Sequence, residues 1–509
     1  MPPAVRKWLT PAAWVAAVSA VLLLIFPLGF PNYDTIYALV WGRELAHLDS
    51  PDYGAALPPT PHPLTDLIGA VTSPFGEAPI TVTMIIAYLA IGLIAFFVYR
   101  LGESWFDRPI GIVAALFVLT RAPFLSNGLR GYIDLPYIAL CLGALLVETK
   151  RPRAGWPVLA LLVPAGLLRP EAWGFAIVYW LYLAFEIGRP PSRAVPYAGI
   201  VDKTNSSAVL WRWRGWELGW RRERSARELA WLAVLAVLGP VLWILFDAVT
   251  TGDPMYSLTG TQATVETLER KTGPVDLVLY GPRALGEVMQ WPGMVGALGG
   301  VVLGFAFLRR RSALGIAAVL LSLLAFGLLA CAGLAIIARY TMLAAALLAI
   351  FVALALLGWR LLAPDHRWRR RWQLFAGVVA LMFVIWLPNQ WNLDSKVNSD
   401  LTNQAKIEGD LTALVDAGAF EPLCGPIAVP NHRAVPRLAF GLGIEPTQIV
   451  SASEEGVPER GYVVVPTSKF VIENFILDPN DKTRISLQPP PGFEEEVASN
   501  DSWRVFRHC

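Results

Sequence analysis

The chain has 509 residues, of which 55% are hydrophobic and 16% are charged, and its mean hydropathy is +0.48. Soluble globular proteins carry about 25% charged residues, so this composition excludes an ordinary soluble enzyme, a disordered protein and a nucleic-acid-binding protein. The net charge of +2 hides an uneven distribution: residues 389–509 contain 10 Lys and Arg against 17 Asp and Glu, whereas residues 1–388 contain 32 against 23. We therefore predict two domains, a basic, apolar one over 1–388 and an acidic one over 389–509.

A membrane-spanning helix requires about 20 mostly apolar residues, and such segments recur over the first 388 positions. The predicted spans, eleven in number, are 12–30, 79–99, 109–124, 133–148, 156–168, 172–187, 230–249, 291–308, 312–335, 341–361 and 373–388. The fifth and sixth are short and flank the break Leu168-Arg169-Pro170-Glu171. Because irregular backbone at membrane depth is tolerated where it lines a cavity or packs in protein, this break is a candidate site wall.

The distribution of Lys and Arg predicts the orientation of the spans, because cytoplasmic loops carry the excess of basic residues. With the N-terminus inside, the inward segments hold 24 basic residues and the outward loops hold 8. Nine of the 24 lie between Arg189 and Arg227. An odd number of spans then places the C-terminal domain outside the cytoplasm. The prediction is a multi-pass protein of the plasma membrane with a cytoplasmic N-terminus.

One inward stretch, residues 211–224, interleaves Trp with Arg. The pattern invites a nucleic-acid interpretation, but a Trp- and Arg-rich segment beside a span is also typical of an amphipathic helix lying on anionic lipid. We favour the second interpretation, in which membrane lipid is the partner and no nucleic acid is bound.

The four cysteines divide between the two predicted domains. Cys141 and Cys331 fall inside spans, whereas Cys424 and Cys509 lie in the outward domain, where oxidation is permitted. A disulfide between Cys424 and Cys509 is therefore predicted. No Cys-x-x-Cys occurs and the five histidines are scattered, so we predict no metal site and no cofactor, although the sequence leaves open whether a divalent metal is needed.

The first outward loop, residues 31–78, begins with Asn32-Tyr33-Asp34. Apolar residues at helical spacing over 35–48 predict a helix along the membrane surface, and a Pro-rich turn through His62 leads to a second interfacial stretch over 64–71. A carboxylate at this boundary is partly desolvated, which raises its pKa and suits Asp34 to accept a proton. Alternatively, Asp34 only caps the helix that follows. His62 is either structural or catalytic.

Other outward loops contribute candidate substrate-binding residues. These are Arg130 and Asp134, Arg169 and Glu171, and Arg339 and Tyr340. Asp134 is at the start of the fourth predicted span, where its carboxylate either caps the helix or belongs to a polar cavity. Arg130 is close enough in sequence to pair with it. Arg339 stands between two long spans with almost no loop, so it either snorkels to the interface or binds a lipid phosphate bidentately.

Two further outward segments complete the prediction. Residues 251–290 form a connection long enough to cover the mouth of a cavity. In the tail, a helix over 401–417 and short strands at 426–430, 448–450, 461–466 and 503–506 predict a small α/β domain. That domain binds an acceptor, docks a partner or serves as a structural lid.

This pattern resembles the integral-membrane GT-C glycosyltransferases, which include protein O-mannosyltransferases, the aminoarabinose transferases of lipid A, and mycobacterial mannosyl- and arabinofuranosyltransferases. The matching features are an acid just after the first span (Asp34), two interfacial helices in a long first outward loop, an acid at the next outward loop (Asp134), and a C-terminal extracytoplasmic domain. Asp34 is followed by Thr35 instead of the Asp-Glu pair of O-mannosyltransferases, which leaves the subfamily open.

The resemblance implies an α-helical polytopic membrane fold of GT-C type with a small extracytoplasmic α/β domain. It also implies that Asp34 is the general base for the acceptor hydroxyl and that the donor is a sugar on a polyprenyl phosphate. The acceptor would be an envelope glycan, lipid or protein. Arg339, Arg130 and Arg169 are the candidates for binding the departing phosphate.

Two other classes of function remain as alternatives. A lipid or solute transporter or flippase often shows repeated halves and ionisable residues at the membrane midplane, but no repeat is obvious and the acids here lie at the outer face. The absence of a Walker motif disfavours a nucleotide-driven transporter. A scaffold or receptor is the third hypothesis. An assay for transfer of sugar from a polyprenyl-phosphate donor distinguishes the enzyme from the transporter and from the scaffold, because only the enzyme would transfer the sugar.

Overall fold

The computed structural model of the chain describes residues 3–26, 29–76, 78–188, 209–213, 216–220, 224–476, 482 and 484–509. The α-helices are α1 (Pro3–Ile25), α2 (Tyr33–Ala46), α3 (Pro63–Thr72), α4 (Ala78–Trp105), α5 (Arg108–Leu119), α6 (Ala122–Leu129), α7 (Asp134–Lys150), α8 (Trp156–Leu168), α9 (Glu171–Ala184), α10 (Ala226–Thr251), α11 (Tyr256–Thr267), α12 (Gly273–Phe307), α13 (Arg309–Cys331), α14 (Met342–Leu357), α15 (Arg369–Asp416), α16 (Val435–Leu442) and α17 (Lys469–Phe475). The strands are β1 (Phe185–Gly188), β2 (Val209–Trp213), β3 (Trp216–Trp220), β4 (Ile427–Val429), β5 (Ile449–Ser451), β6 (Gly461–Pro466), β7 (Glu495–Ser499) and β8 (Trp503–His508).

Helices of membrane-spanning length make this a multi-pass membrane protein. Within the described residues, 6 helices are long and apolar enough to cross a membrane, or 7 if the bent pair α5–α6 is one span. Each of the eleven predicted segments coincides for most of its length with a helix, but α7, α8 and α9 have only 17, 13 and 14 residues. The helical membrane fold is confirmed, whereas the number eleven stays a prediction.

The predicted span 109–124 is broken in the structure. Helices α5 and α6 meet at 60°, because α5 ends at Leu119 and Pro123 lies in the first turn of α6. Proline at that position starts a helix and cannot continue one. The short helix α6 therefore ends at Leu129, and Arg130 follows it in the turn before the start of α7.

Helices α2 and α3 form at the two stretches of the first loop that were predicted to lie along the membrane surface. They cross closely at two glycines, Gly42 and Gly69. A Cβ atom on Gly42 would lie 2.4 Å from the Asp66 carbonyl oxygen, and one on Gly69 would lie 3.0 Å from the Ala38 carbonyl oxygen. This contact packs α2, which carries Asp34 in its first turn, against α3, which follows His62.

The prediction of an amphipathic helix in the Trp- and Arg-rich stretch over 211–224 is wrong. Its described residues form the strands β2 and β3, which pair antiparallel, and β1 pairs with β3 to complete a 3-stranded sheet in the order β1-β3-β2. Alternating Trp and Arg match the two-residue period of a strand, which the sequence interpretation overlooked. The basic residues of this segment at 189–208, at 214 and at 221–222 lie outside the described residues.

The C-terminal part contains a 5-stranded sheet in the order β5-β4-β6-β8-β7. Strand β4 runs parallel to β5 and β6, whereas β8 runs antiparallel to β6 and β7. The four predicted strands are present, while β7, α16 and α17 were not predicted. The predicted domain boundary at 388 lies inside α15, which continues without a break to Asp416.

The core of the C-terminal part includes residues of the first outward loop. Tyr37 and Trp41 of α2 are buried in one apolar cluster with Phe420, Leu438 and Trp503. The Arg43 guanidinium donates to the carbonyl oxygens at the end of α16 and just beyond it, those of Ala439, Phe440 and Ile444, at 3.1–3.3 Å. A cation at a helix C-terminus satisfies carbonyls that have no helical partner. The α/β unit is therefore fixed on α2.

The structure pairs Cys424 with Cys509, with 5.8 Å between their Cα atoms. The bond closes a loop of 85 residues and holds the last residue of the chain against the segment that enters β4. Of the two cysteines in the predicted spans, Cys141 is buried and Cys331 is exposed.

Candidate functional site

A cavity of about 690 Å³ lies where the first outward loop, the start of α7, the α8–α9 break, α10, α11 and the C-terminal sheet meet. Its lining includes most of the polar residues predicted from the sequence. These are Asp34, His62, Asp134, Arg169, Arg339 and Tyr340. Arg130 and Glu171 do not line it. Residues from loops that are far apart in sequence therefore meet at one site.

Asp34 is the second residue of α2, and its carboxylate faces Arg339 and does not cap the helix. The cap is Asn32, whose side-chain oxygen accepts from the backbone N–H of Asp34 at 2.8 Å and of Thr35 at 3.4 Å. The Asp34 Oδ2 atom accepts from Arg339 Nη1 at 2.9 Å. The capping alternative for Asp34 is therefore wrong, and its carboxylate is directed to the cavity.

The pKa of Asp34 moves opposite to the sequence expectation. Burial raises the pKa of the carboxyl, but the charge of Arg339 and its hydrogen bond lower it, as does the charge of Arg270, and the net pKa is lowered. An adjacent guanidinium stabilises the ionised form of a carboxyl group. Asp34 is thus a carboxylate at neutral pH, which is the form that accepts a proton.

Arg169 holds two carboxylates in the α8–α9 break. Its Nη1 donates to Asp134 Oδ1 at 2.5 Å, and its Nη2 donates to Glu171 Oε1 at 2.8 Å. All three side chains are nearly inaccessible to solvent. The predicted pairing of Arg130 with Asp134 is wrong, because Arg130 donates to Gln404 Oε1 at 3.0 Å and to Ser126. The end of α6 directs Arg130 toward α15.

Tyr340 separates the two cavity arginines. Its ring lies 4.1 Å from the Arg169 Cζ atom and 5.3 Å from the Arg339 Cζ atom. An aromatic face stabilises a nearby cation, so one ring attracts both guanidinium groups and keeps them apart. Tyr132, in the turn before α7, lies 5.2 Å from Arg339 on another side. Arg339 is consequently held by two tyrosines and one carboxylate.

His62 lies at the start of α3 and packs edge-to-face on Trp243, with 5.5 Å between the ring centroids. Burial and the nearby Arg169 charge lower the pKa of His62 to about 3. Its Nδ1 atom is buried and has no hydrogen-bond partner among the described residues. His62 is therefore a neutral imidazole in the cavity wall, with one ring nitrogen unoccupied.

A buried carboxyl group, Asp66, was missed by the sequence interpretation. Asp66 is 0% exposed, and neither of its carboxyl oxygens has a hydrogen-bond partner among the described residues. Burial, and next the nearby Asp247 carboxylate, raise the pKa of Asp66 well above its usual value. Asp247 itself accepts from the Ser257 backbone N–H at 3.0 Å and from Ser257 Oγ at 2.8 Å, which attaches α11 to α10.

Because the folded protein raises the pKa of Asp66, the folded state keeps a proton that the unfolded chain releases near pH 4. This contribution to stability is largest below the unfolded pKa and is lost as the pH rises toward the folded pKa. We expect Asp66→Asn to flatten the decline of the melting temperature between pH 5 and pH 9, as measured by thermal unfolding in detergent. The exposed Asp49→Asn variant is the control. An unchanged slope in Asp66→Asn would show that Asp66 ionises without penalty.

Two further cations line the cavity and were also missed. Arg270 follows α11 and is exposed, and Arg433 follows β4 in the C-terminal part. The sequence carried one signal for them, namely basic residues in outward segments that are otherwise acidic or neutral. Within the described ranges, no group of three or more His, Cys, Asp or Glu residues is placed to hold a metal ion.

No protein family matches the sequence, and no curated protein matches it significantly. Solved structures do match the fold. ArnT from Cupriavidus metallidurans bound to undecaprenyl phosphate is similar with a TM-score of 0.52 at 13% identity, over 98% of this chain and 98% of that chain. The apo form of the same protein is similar with a TM-score of 0.49 at 12% identity, over 99% of this chain and 98% of that chain. An Archaeoglobus fulgidus oligosaccharyltransferase in the apo form is similar with a TM-score of 0.47 at 12% identity, over 93% of this chain and 72% of that chain. The likeness to ArnT over almost the entire length of both chains confirms that this protein has the GT-C fold predicted from its sequence.

Proposed function

We propose that the protein is a membrane glycosyltransferase that moves a sugar from a polyprenyl-phosphate donor to a cell-envelope acceptor at the outer face of the membrane. The observation that carries this proposal is the Asp34–Arg339 pair in the cavity. A carboxylate and a guanidinium 2.9 Å apart provide a base and a phosphate-binding cation at one site, in a fold shared with a protein that binds undecaprenyl phosphate.

Asp34 is the base in this mechanism. Its carboxylate takes the proton of the acceptor hydroxyl while the acceptor oxygen bonds to the anomeric carbon of the sugar. The bond between that carbon and the phosphate oxygen breaks, and its electron pair leaves on the polyprenyl phosphate. The lowered pKa of Asp34 keeps it ionised at neutral pH. His62, neutral and adjacent, adds no competing positive charge to the acceptor side.

Arg339 binds the departing phosphate. Only its Nη1 atom contacts Asp34, and its Nε atom is buried without a partner among the described residues. A guanidinium presents several donors in a fixed plane that matches phosphate oxygens. The donors of Arg339 that Asp34 leaves unoccupied therefore suit a phosphate in the cavity. Arg169 is fully engaged by Asp134 and Glu171 and has the supporting role of fixing the cavity wall.

The direct test uses the purified full-length protein in detergent with undecaprenyl-phosphate sugars as donors. We expect release of undecaprenyl phosphate that requires an added envelope acceptor, measured by mass spectrometry of the lipid. If no donor of this class is consumed and the protein instead moves lipid between the leaflets of liposomes, the flippase alternative is correct and the transferase proposal fails.

The orientation of the protein is part of the proposal and rests on the 24 to 8 division of basic residues. In a Cys331→Ala background, we expect Lys469→Cys to react with a membrane-impermeant maleimide in intact cells. We expect Arg310→Cys, in the first turn of α13, to react only after permeabilisation. Both positions are exposed, so accessibility within the protein does not limit labelling. The reverse pattern would place the cavity on the cytoplasmic side.

A further inference from the structure

The charges of the cavity wall do not balance pair by pair. Four arginines and three aspartates belong to its described lining. Arg339 pairs with Asp34, and Arg169 pairs with Asp134 and with Glu171 outside the lining. Asp247 is bound by Ser257. The arginines that remain are Arg270, which is exposed, and Arg433, which comes from the C-terminal part.

The backbone of Arg433 is hydrogen-bonded, whereas its guanidinium has a nitrogen without a hydrogen-bond partner among the described residues. Its backbone N–H donates to Asn431 Oδ1 at 3.0 Å, whereas its Nε atom is buried and has no partner among the described residues. No carboxylate in the described part of the chain pairs with it. A buried polar group without a partner is unfavourable by about 1–3 kcal/mol, so an acceptor oxygen of a ligand in the cavity would be stabilised at this donor.

The surrounding side chains fix the segment that carries Arg433. The preceding residue, His432, contacts Glu454 with 2.9 Å between Nδ1 and Oε1, and its ring packs edge-to-face on Tyr33 at 5.4 Å. Tyr33 directly precedes Asp34. The segments bearing Arg433 and Glu454 follow the parallel strands β4 and β5, at the carboxyl edge where open α/β sheets bind ligands.

Arg433 acts on the same part of the cavity as Arg339. Burial and the Asp34 charge raise the pKa of the Tyr132 hydroxyl, while Arg339 and Arg433 both act to lower it. Two cations, one from the membrane domain and one from the α/β unit, therefore approach one tyrosine from different elements. Arg339 and Arg433 both line the cavity, from distant parts of the chain.

We propose that Arg433 is a phosphate-binding residue of the active-site cavity, so that the C-terminal α/β unit contacts the substrate directly. The inference rests on the proposed function and extends it, because a polyprenyl-phosphate leaving group carries negative charge that one guanidinium, already shared with Asp34, neutralises only in part. Arg433 supplies a second cation from the C-terminal part of the lining. The phosphate is that of the lipid donor or one carried by the acceptor.

The test measures binding and requires no turnover. The full-length protein in detergent is titrated with undecaprenyl phosphate and, separately, with inorganic phosphate, for the wild type, Arg433→Gln and Arg460→Gln. Arg460 is an exposed residue just before β6 that does not line the cavity, so its variant controls for loss of one positive charge. We expect Arg433→Gln to weaken undecaprenyl phosphate binding about 10- to 100-fold, as for a hydrogen bond to a charged group.

Each outcome distinguishes a source or rejects the proposal. Weaker binding of both probes by Arg433→Gln assigns the phosphate to the lipid, and weaker binding of inorganic phosphate alone assigns it to a water-side acceptor. Unchanged binding of both, or an equal loss in Arg460→Gln, overturns the proposal. Arg433-dependent binding by a protein that transfers no sugar would reject the proposed function and keep the phosphate site. Sugar transfer by a protein whose phosphate binding does not depend on Arg433 would reject the phosphate site and keep the proposed function.

A second variant tests whether the loop geometry matters. Glu454→Gln removes the charge that holds His432, and with it the support for Arg433. We expect this variant to weaken the same phosphate binding less than Arg433→Gln does, with no additional loss when the two changes are combined, because both act through one guanidinium. Full additivity of the two losses would show that Glu454 acts independently of Arg433.

Discussion

Replacing Asp34 with Asn is expected to reduce sugar transfer by about 10²- to 10⁴-fold, the usual contribution of a general base. Asn has the shape of Asp, and its side-chain oxygen can still accept from Arg339, but it does not accept a proton. The melting temperature and undecaprenyl phosphate affinity of Asp34→Asn should therefore stay near those of the wild type. Steady-state transfer rates at saturating donor, together with thermal unfolding, measure both effects.

Asn32 provides the matched control, because it is the residue that caps α2. Asn32→Ala should lower stability by about 0.5–2 kcal/mol while retaining turnover in the protein that stays folded. In the wild type, the rate should fall only at acid pH, since the pKa of Asp34 is lowered and the carboxylate is lost as the pH drops through that value. A fully active Asp34→Asn variant would remove Asp34 from the mechanism.

Replacing Arg169 with Met is expected to have the largest effect on stability. The change leaves Asp134 and Glu171 buried next to each other without their cation. Breaking a buried ion pair by removing one partner costs about 3–5 kcal/mol, so Arg169→Met should express poorly and melt at a markedly lower temperature. Fluorescence-detected size-exclusion chromatography and thermal unfolding in detergent provide the measurement.

The triple variant Arg169→Met, Asp134→Asn, Glu171→Gln removes all three charges and should recover most of that stability, because neutral replacements of a buried charge cluster are often tolerated. Recovery would assign Arg169 to the support of the cavity wall. If Arg169→Met instead folds normally and loses only undecaprenyl phosphate binding, Arg169 is a phosphate ligand, as the sequence had suggested.

The membrane domain followed closely from the sequence because local patterns determine helices. Apolar runs marked the segments that became helices. The spacing over 35–48 predicted α2, and α3 forms at the stretch 64–71 that was predicted to be interfacial. Pairings were less predictable, since Asp34 and Arg339 are 305 residues apart. Arg130 was paired with Asp134 because they are near in sequence, but α6 turns Arg130 away and the α8–α9 break brings Arg169 to Asp134.

Some site residues were not predictable by composition at all. Asp66 drew no attention in the sequence, because its burial and its proximity to Asp247 of α10 arise from packing between distant segments. Arg433 lies in an acidic tail whose sequence indicated no chemistry. Its position in the cavity depends on the sheet order and on the contact of the α/β unit with α2, neither of which has a short-range signal.

The shared core of α2 and the α/β unit has a consequence for synthesis of the protein. Arg43 and its partners in and just after α16 are 396–401 residues apart, so α2 emerges from the ribosome long before the chain that covers it. At translation rates of about 5–20 residues per second, the aromatic face bearing Tyr37 and Trp41 waits roughly 20–80 s for its partner. During that interval the nascent chain needs a holding factor or the lipid surface itself to shield this face, and ribosomes stalled after α14 should accumulate chains that such a factor retains.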